Sequence, residues 1–279
     1  MARAAQPELR ILAAVQPTQA AREALAGLLA KFPAARTDSD ARRLTERSGA
    51  AVYVALGSDA LQQMLEVGPD GPVLSLLTSS EAYHAIASAQ SVEHRRLQVT
   101  ALFAEASPAQ QLALVRKIFR RRITVGVLLS EYTAPFETQI RTAARGADLD
   151  LEVHRVSVSD NPIRALTRLA SSTVLLALPD RAIMSAENVQ AFLEATYRRG
   201  MAVVGFSAAL VRAGALASVY STVEEVVAQA SLLIEQLAGG QQPVPQYPAY
   251  WRVAVNERVA RSLDIPIDHE ARSLNSPVR

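Results

Sequence analysis

The sequence contains no cysteine. Disulfides, thiolate metal sites and cysteine nucleophiles are therefore excluded, and the absence suits either redox compartment. Aromatic residues make up only 5% of the 279 positions. Neither sign of charge dominates: 29 basic and 27 acidic residues leave a net +2. A charge-driven partner such as nucleic acid needs a basic surface interleaved with stacking residues, so none is expected. Lys117, Arg120, Arg121 and Arg122 form the tightest basic cluster. They read as the solvated end of a helix, where cations suit the negative end of the dipole. No apolar run approaches the ~18 residues that span a bilayer. The opening "MARAAQPELR" has no apolar stretch of the kind a signal peptide carries.

Enzyme signatures are missing as well. The chain has no G-x-S-x-G elbow, no G-x-x-x-x-G-K-[ST] phosphate loop and no G-x-G-x-x-G fingerprint. His84, His94, His154 and His269 are scattered and lack metal-ligand spacing. No catalytic residue, metal or cofactor is expected, and the chain does not read as an enzyme.

What is present is a rhythm. About half the residues are apolar, enough for a sizeable core and for two domains. Short apolar strands alternate with helices. "RILAAVQ", "AAVYVAL", "PVLSLLT" and "LQVTALF" read as strands in the first half. "ITVGVLL", "LDLEVHRV", "STVLLAL", "MAVVGFS", "ALASVYS" and "YWRVAVN" follow in the second. "ARTDSDARRL" reads as a loop entering a helix. "SPAQQLALVRKIF" opens with a full set of helix start signals: Ser107 as N-cap, Pro108 first, and Gln110 closing a capping box. Ser221 and Glu224 suggest a second capping box. The alternation predicts βαβ units, a mostly parallel sheet covered on both faces, and two similar doubly wound halves joined near Arg120–Arg122.

Ligands of open parallel sheets bind outside the carboxyl ends of the strands. The candidate binding residues are therefore Gln16, Thr18, Gly57, Ser58, Thr78 and Ser79 in the first half. In the second they are Ser130, Glu131, Tyr132, Asp180, Arg181, Phe206 and Ser207. Each also has a plain structural reading. Ser58, Ser80, Ser159 and Asp160 fit helix N-caps, Gly57 fits a tight turn, and Asp180 fits a local turn former. Tyr132 and Phe206 fit packing positions, and Arg181 a surface charge.

The second half carries a resemblance. "ITVGVLLSEYTAPFETQIRTAARGADLDLEVHRVSVSDNP", "VLLALPDRAIMSAENVQAFLEATYRRGMAVVGFSAALVRAGALASVYSTVEEVVAQASLLIEQLAGG" and "PAYWRVAVNERVARSLDIPI" form an ordered series. That series resembles the ABC transporter substrate-binding proteins of the tryptophan/tyrosine-binding type. "AAVYVALGSDALQQML", "GPVLSLLT" and "SPAQQLALVRKIF" match more loosely.

The resemblance implies a type I periplasmic-binding-protein-like fold, with two α/β lobes joined by a hinge and a small ligand held between them. The first lobe would span 1–120 plus about 222–248, the second 121–221 plus about 249–279. A permease partner, a monomer and a periplasmic or extracytoplasmic location are implied, the export signal being absent from the sequence as written. Carried over by position, Ser130, Glu131 and Tyr132, then Pro179, Asp180 and Arg181, then Ser207, match the family's binding loops. Arg181 stands where the family often has a small polar residue, and the first lobe looks abbreviated. A basic side chain there suggests a carboxylate-bearing, amino-acid-like ligand. The alternative function is a degenerate sensor or interaction module of the same fold without a transport role.

Overall fold

The computed structural model describes residues 8–46, 51–89, 97–157 and 159–275. His94 lies outside them. In chain order the elements are β1 (Glu8–Ala13), α1 (Gln19–Lys31), β2 (Arg36–Asp38), α2 (Ala41–Thr45), β3 (Ala51–Leu56), α3 (Ser58–Val67), β4 (Val73–Thr78), α4 (Ser80–Ser88), β5 (Val99–Phe103) and α5 (Pro108–Phe119). They continue with β6 (Thr124–Leu129), α6 (Glu137–Gly146), β7 (Asp150–Arg155), α7 (Pro162–Ala165), β8 (Val174–Leu176), α8 (Val189–Arg198), β9 (Ala202–Gly205), α9 (Ala208–Ala213), β10 (Ala217–Tyr220), α10 (Val223–Ala238), β11 (Arg252–Val255), α11 (Glu257–Ser262) and α12 (His269–Arg272).

Two compact units result: Met1–Ala104 with Ser221–Tyr250, and Glu105–Tyr220 with Trp251–Arg279. The chain therefore passes between them three times. Helix α5, expected in the first lobe, belongs to the second unit. Its Leu112, Leu114, Val115 and Ile118 pack with Val125, Val127 and Leu129 of β6 and with Ile140 of α6. The first unit's sheet is wholly parallel, in the order β2-β1-β3-β4-β5. The second has the order β11-β10-β9-β8-β6-β7, parallel except for β11 against β10. Read from its first strand, each unit winds in the same 2-1-3-4-5 order.

Side-chain alternation explains the layering. On β3, Val52, Val54 and Leu56 face one cluster with α1 and α10, while Tyr53 and Ala55 face another with α3. In the second unit, Val125, Val127 and Leu129 face α5 and α6, and Leu128 faces α8 and α9. Burial on both faces is why these strands read as continuous apolar runs. Strand β7, at the edge of its sheet, is only partly covered and keeps the alternating pattern.

Local signals fared unevenly. The Ser107–Gln110 capping box forms. The second box is Thr222 with Glu225, one residue along, because the Ser221 hydroxyl donates to Tyr250 O at 2.5 Å. Strand β2 replaces an expected loop: "RTD" is too short and polar to read as a strand, yet it pairs with Arg10–Leu12. Helix α8 starts only at Val189, because Arg181–Met184 form a turn closed on Asp180 O. Three of the four residues of the basic cluster are paired with acids: Lys117 with Glu270, Arg120 with Asp268, and Arg122 with Asp150.

Candidate functional site

In a 2-1-3-4-5 sheet the crossovers diverge between the first and third strands, leaving a crevice at their carboxyl ends. In the second unit these strands are β6 and β8, hydrogen-bonded neighbours. Ser130, Glu131 and Tyr132 follow the first; Asp180 and Arg181 follow the second.

Asp180 joins the two loops. Its side chain is buried, at 2% exposure. Oδ2 accepts from Ser130 N at 3.1 Å and from Thr133 Oγ1 at 2.5 Å. Oδ1 accepts from Ala182 N at 2.9 Å and Ile183 N at 3.3 Å, closing the turn that carries Arg181. Both carboxylate oxygens thus serve the protein. Pro179 precedes this turn and has no N–H to extend the ladder. The Ser130 hydroxyl is likewise engaged, accepting from Tyr132 N at 3.1 Å.

What these bonds position is a stack. The Arg181 guanidinium carbon lies 4.5 Å from the centroid of the Tyr132 ring. Arg181 is exposed and Tyr132 is 37% exposed. Such a pair contributes about 0.5–1 kcal/mol at an exposed position. Glu131 is exposed at the tip of the same loop. Ser207 accepts from Leu210 N at 3.2 Å as the N-cap of α9. Phe206 is partly buried against the Phe192 and Leu193 cluster, so it packs the fold.

In the first unit the corresponding strands are β1 and β3. Val15, after β1, is 82% exposed, and Gln16 beside it is exposed. Thr18 caps α1, accepting from Ala21 N at 3.2 Å. Gly57 begins α3 with φ 96° and ψ 169°, a conformation essentially reserved for glycine. A Cβ there would meet nothing within 4 Å, so the backbone conformation rather than crowding requires it. Gly57 gives α3 no side-chain cap, and Ser58 falls inside the helix. Similarly Ser79, not Ser80, caps α4, accepting from Ala82 N at 3.1 Å. Asn161 caps α7 in place of Ser159 or Asp160.

Strand β4 ends irregularly. Leu77 adopts φ 59°, rare for a branched side chain, and the register with β5 shifts between Leu76 and Thr78. The bulge turns Thr78 onto the face of Ser75, whose Oγ donates to Thr78 Oγ1 at 3.0 Å. Thr78 is 1% exposed and therefore lies beneath the surface. Nearby, Tyr83 and His84 of α4 gather with Phe103 at the end of β5, at centroid distances of 5.6 and 5.9 Å, and Tyr247 reaches Phe103 at 4.9 Å. Burial pushes the Tyr83 hydroxyl up to about 12 and pushes the His84 imidazole below its ordinary value.

Sequence reasoning missed Thr133, Leu77 and this aromatic group. Thr133 sits one residue beyond the quoted loop, and only its partner Asp180 reveals it. Among the described residues no cluster of metal-ligating side chains occurs and no helix is long and apolar enough to cross a membrane.

No family model and no curated protein matches the chain. Solved structures do. An ABC domain in complex with L-Trp from Streptococcus pneumonia aligns over 96% of this chain and 99% of its own, with a TM-score of 0.66 and 16% identity. The fold is that of the ABC-type substrate-binding proteins. A substrate-binding protein with adhesive properties from Clostridium difficile, in its ligand-free open structure, gives a TM-score of 0.68 at 14% identity, over 96% of this chain and 98% of its own. A conserved domain protein from Vibrio cholerae gives 0.63 at 18%, over 96% and 98%. The periplasmic-binding-type architecture, with two parallel-sheet α/β units, is thus shared across nearly the whole length of each.

Proposed function

We propose that this protein is the solute-binding component of an ABC-type uptake system, working outside the cytoplasm and delivering a small carboxylate-bearing, amino-acid-like ligand to a membrane permease. One observation carries the ligand class: Arg181 stacked on Tyr132, on a turn that buried Asp180 fixes at the crevice between β6 and β8. A guanidinium carries a planar N–H fork whose geometry matches a carboxylate. The ring beneath it supplies an apolar face for the rest of the ligand, and Glu131 a charge for an ammonium group. In the first unit, Gly57 and the uncapped start of α3 form the corresponding strand-end position. The free N–H groups of a helix N-terminus favour an anion.

Thermal melting against a panel of amino acids and mono- and dicarboxylates tests it. A ligand that binds only the folded state raises the melting temperature. Stabilisation by a carboxylate but not by its amide or ester supports the assignment. No shift across the panel favours the alternative, a sensor or interaction module without a transport role.

A further inference from the structure

A cavity of about 410 Å³ opens against β1, β2 and α2 of the first unit, and none of the strand-end residues described above lines it. Three arginines do: Arg10, Arg36 and Arg43. The parallel register places Arg10 directly beside Arg36. Side chains so paired share one face of the sheet, and like charges there repel.

The three are not equally neutralised. Arg10 is 2% exposed, and its Nε and Nη2 donate to Glu8 Oε1 at 3.1 and 2.8 Å. Its Nη1 donates to Leu44 O and to the Tyr53 hydroxyl, both at 2.9 Å. It is a fixed wall. The exposed Arg36 side chain has no hydrogen-bond or ion-pair partner among the described residues. Arg43 reaches only Asp40, at 3.7 Å, with both side chains largely in solvent, a geometry that contributes little. The acids on the cavity wall are Asp38 and Glu46. Asp38 is turned onto its own loop, where Oδ1 accepts from Ser39 N at 2.7 Å and Asp40 N at 3.0 Å.

We propose that this cavity is a second ligand site, separate from the Arg181 crevice, and that it takes a small phosphate-bearing anion. Arg36 and Arg43 clamp the anion, and the Arg10–Tyr53 pair forms the ordered back of the site. Two guanidinium forks offer paired donors to several oxygens of one phosphoryl group, where a monocarboxylate fills only one fork. Glu46 opposes the anion and limits its affinity.

The test measures melting temperature and calorimetric binding of the full chain with inorganic pyrophosphate, at constant ionic strength against chloride. It compares the native protein with the Arg36→Gln/Arg43→Gln double variant, with Glu46→Gln and with Arg181→Ala. Both arginines are exposed, so the double variant should melt normally without anion. Pyrophosphate should raise the native melting temperature by several degrees, the double variant should bind at least tenfold more weakly, and Glu46→Gln should bind more tightly. Arg181→Ala should leave pyrophosphate binding unchanged, which separates this site from the carboxylate site. Phosphatidylcholine vesicles with and without phosphatidic acid identify the source. Sedimentation with the acidic vesicles that the double variant loses assigns a lipid headgroup, and its absence beside retained pyrophosphate binding assigns a soluble phosphate. Equal binding by native protein and double variant, or no response of the native protein to either probe, overturns the proposal.

Discussion

The buried carboxylate of Asp180 accepts a hydrogen bond from the Thr133 hydroxyl, 47 positions earlier in the chain, and so ties the loop after β6 to the turn after β8. The same oxygen accepts from Ser130 N. Removing it should therefore act on both loops. Asp180→Ala leaves the Ser130 amide and the Thr133 hydroxyl without their buried partner. It should destabilise the second unit by about 3 kcal/mol. Asp180→Asn keeps two acceptor lone pairs and should lose only about 1–2 kcal/mol. Urea unfolding measures both, and a loss well below about 1 kcal/mol for Asp180→Ala would contradict the assignment of this carboxylate as the joint.

Under the proposed function, Arg181 and Tyr132 act on the ligand rather than on the fold. Arg181→Ala and Tyr132→Ala should each weaken a carboxylate ligand about tenfold or more, about 1.4 kcal/mol, with melting in the absence of ligand nearly unchanged because both side chains are exposed. Arg181→Lys should not restore affinity, since a point charge lacks the planar fork. Calorimetry on the three variants decides this, and full recovery by lysine would show that charge alone is read.

Asp264 tests the backbone. It follows α11 with φ 53°, and the amides of Asp264 and Ile265 bond to Arg261 O at 3.3 Å and Ala260 O at 2.9 Å. This is the pattern that glycine closes best. Asp264→Gly should therefore raise stability by about 0.5–1 kcal/mol, read as a shift in the urea midpoint at constant slope. A loss would mean that the aspartate carboxylate supports the turn.

His84 gives a pH dependence. Burial among aromatic rings lowers its folded-state pKa, so the unfolded chain takes up the proton more readily. Its contribution to stability is complete above the ordinary histidine range and declines as pH falls through it. Melting temperature should fall between about pH 7.5 and 5.5, and His84→Gln should flatten that slope. An unchanged slope assigns the dependence to other groups.

Tyr83 acts at the opposite end of the scale. Its hydroxyl donates to Val99 O at 3.2 Å, and burial raises its pKa to about 12. That contribution is present below the ordinary tyrosine range and is lost as pH rises through the folded-state value. Tyr83→Phe should lose about 1 kcal/mol at neutral pH and should weaken the alkaline decline, which melting scans to high pH would show.

The sequence by itself determined the class of fold and, through it, the strand ends at which candidate binding residues are sought. Apolar runs such as "VLLAL" and the repeated helices dictate parallel sheets covered on both faces, and a parallel sheet puts its loops of interest after the strands. It also excluded thiol chemistry and the common catalytic motifs. Tertiary structure decided how the polar residues at those strand ends are engaged. Thr78, Ser79, Ser207 and Asp180 looked like ligand contacts, yet all four side chains are engaged in bonds within the protein. Arg181 looked as much like punctuation, yet it stacks on Tyr132. The Leu77 bulge and the Arg10–Arg36 pairing have no local signal, since each depends on the register between strands. Periodicity and turn chemistry are properties of neighbours along the chain. Register, and with it the partner of every loop side chain, is set only when distant strands pack.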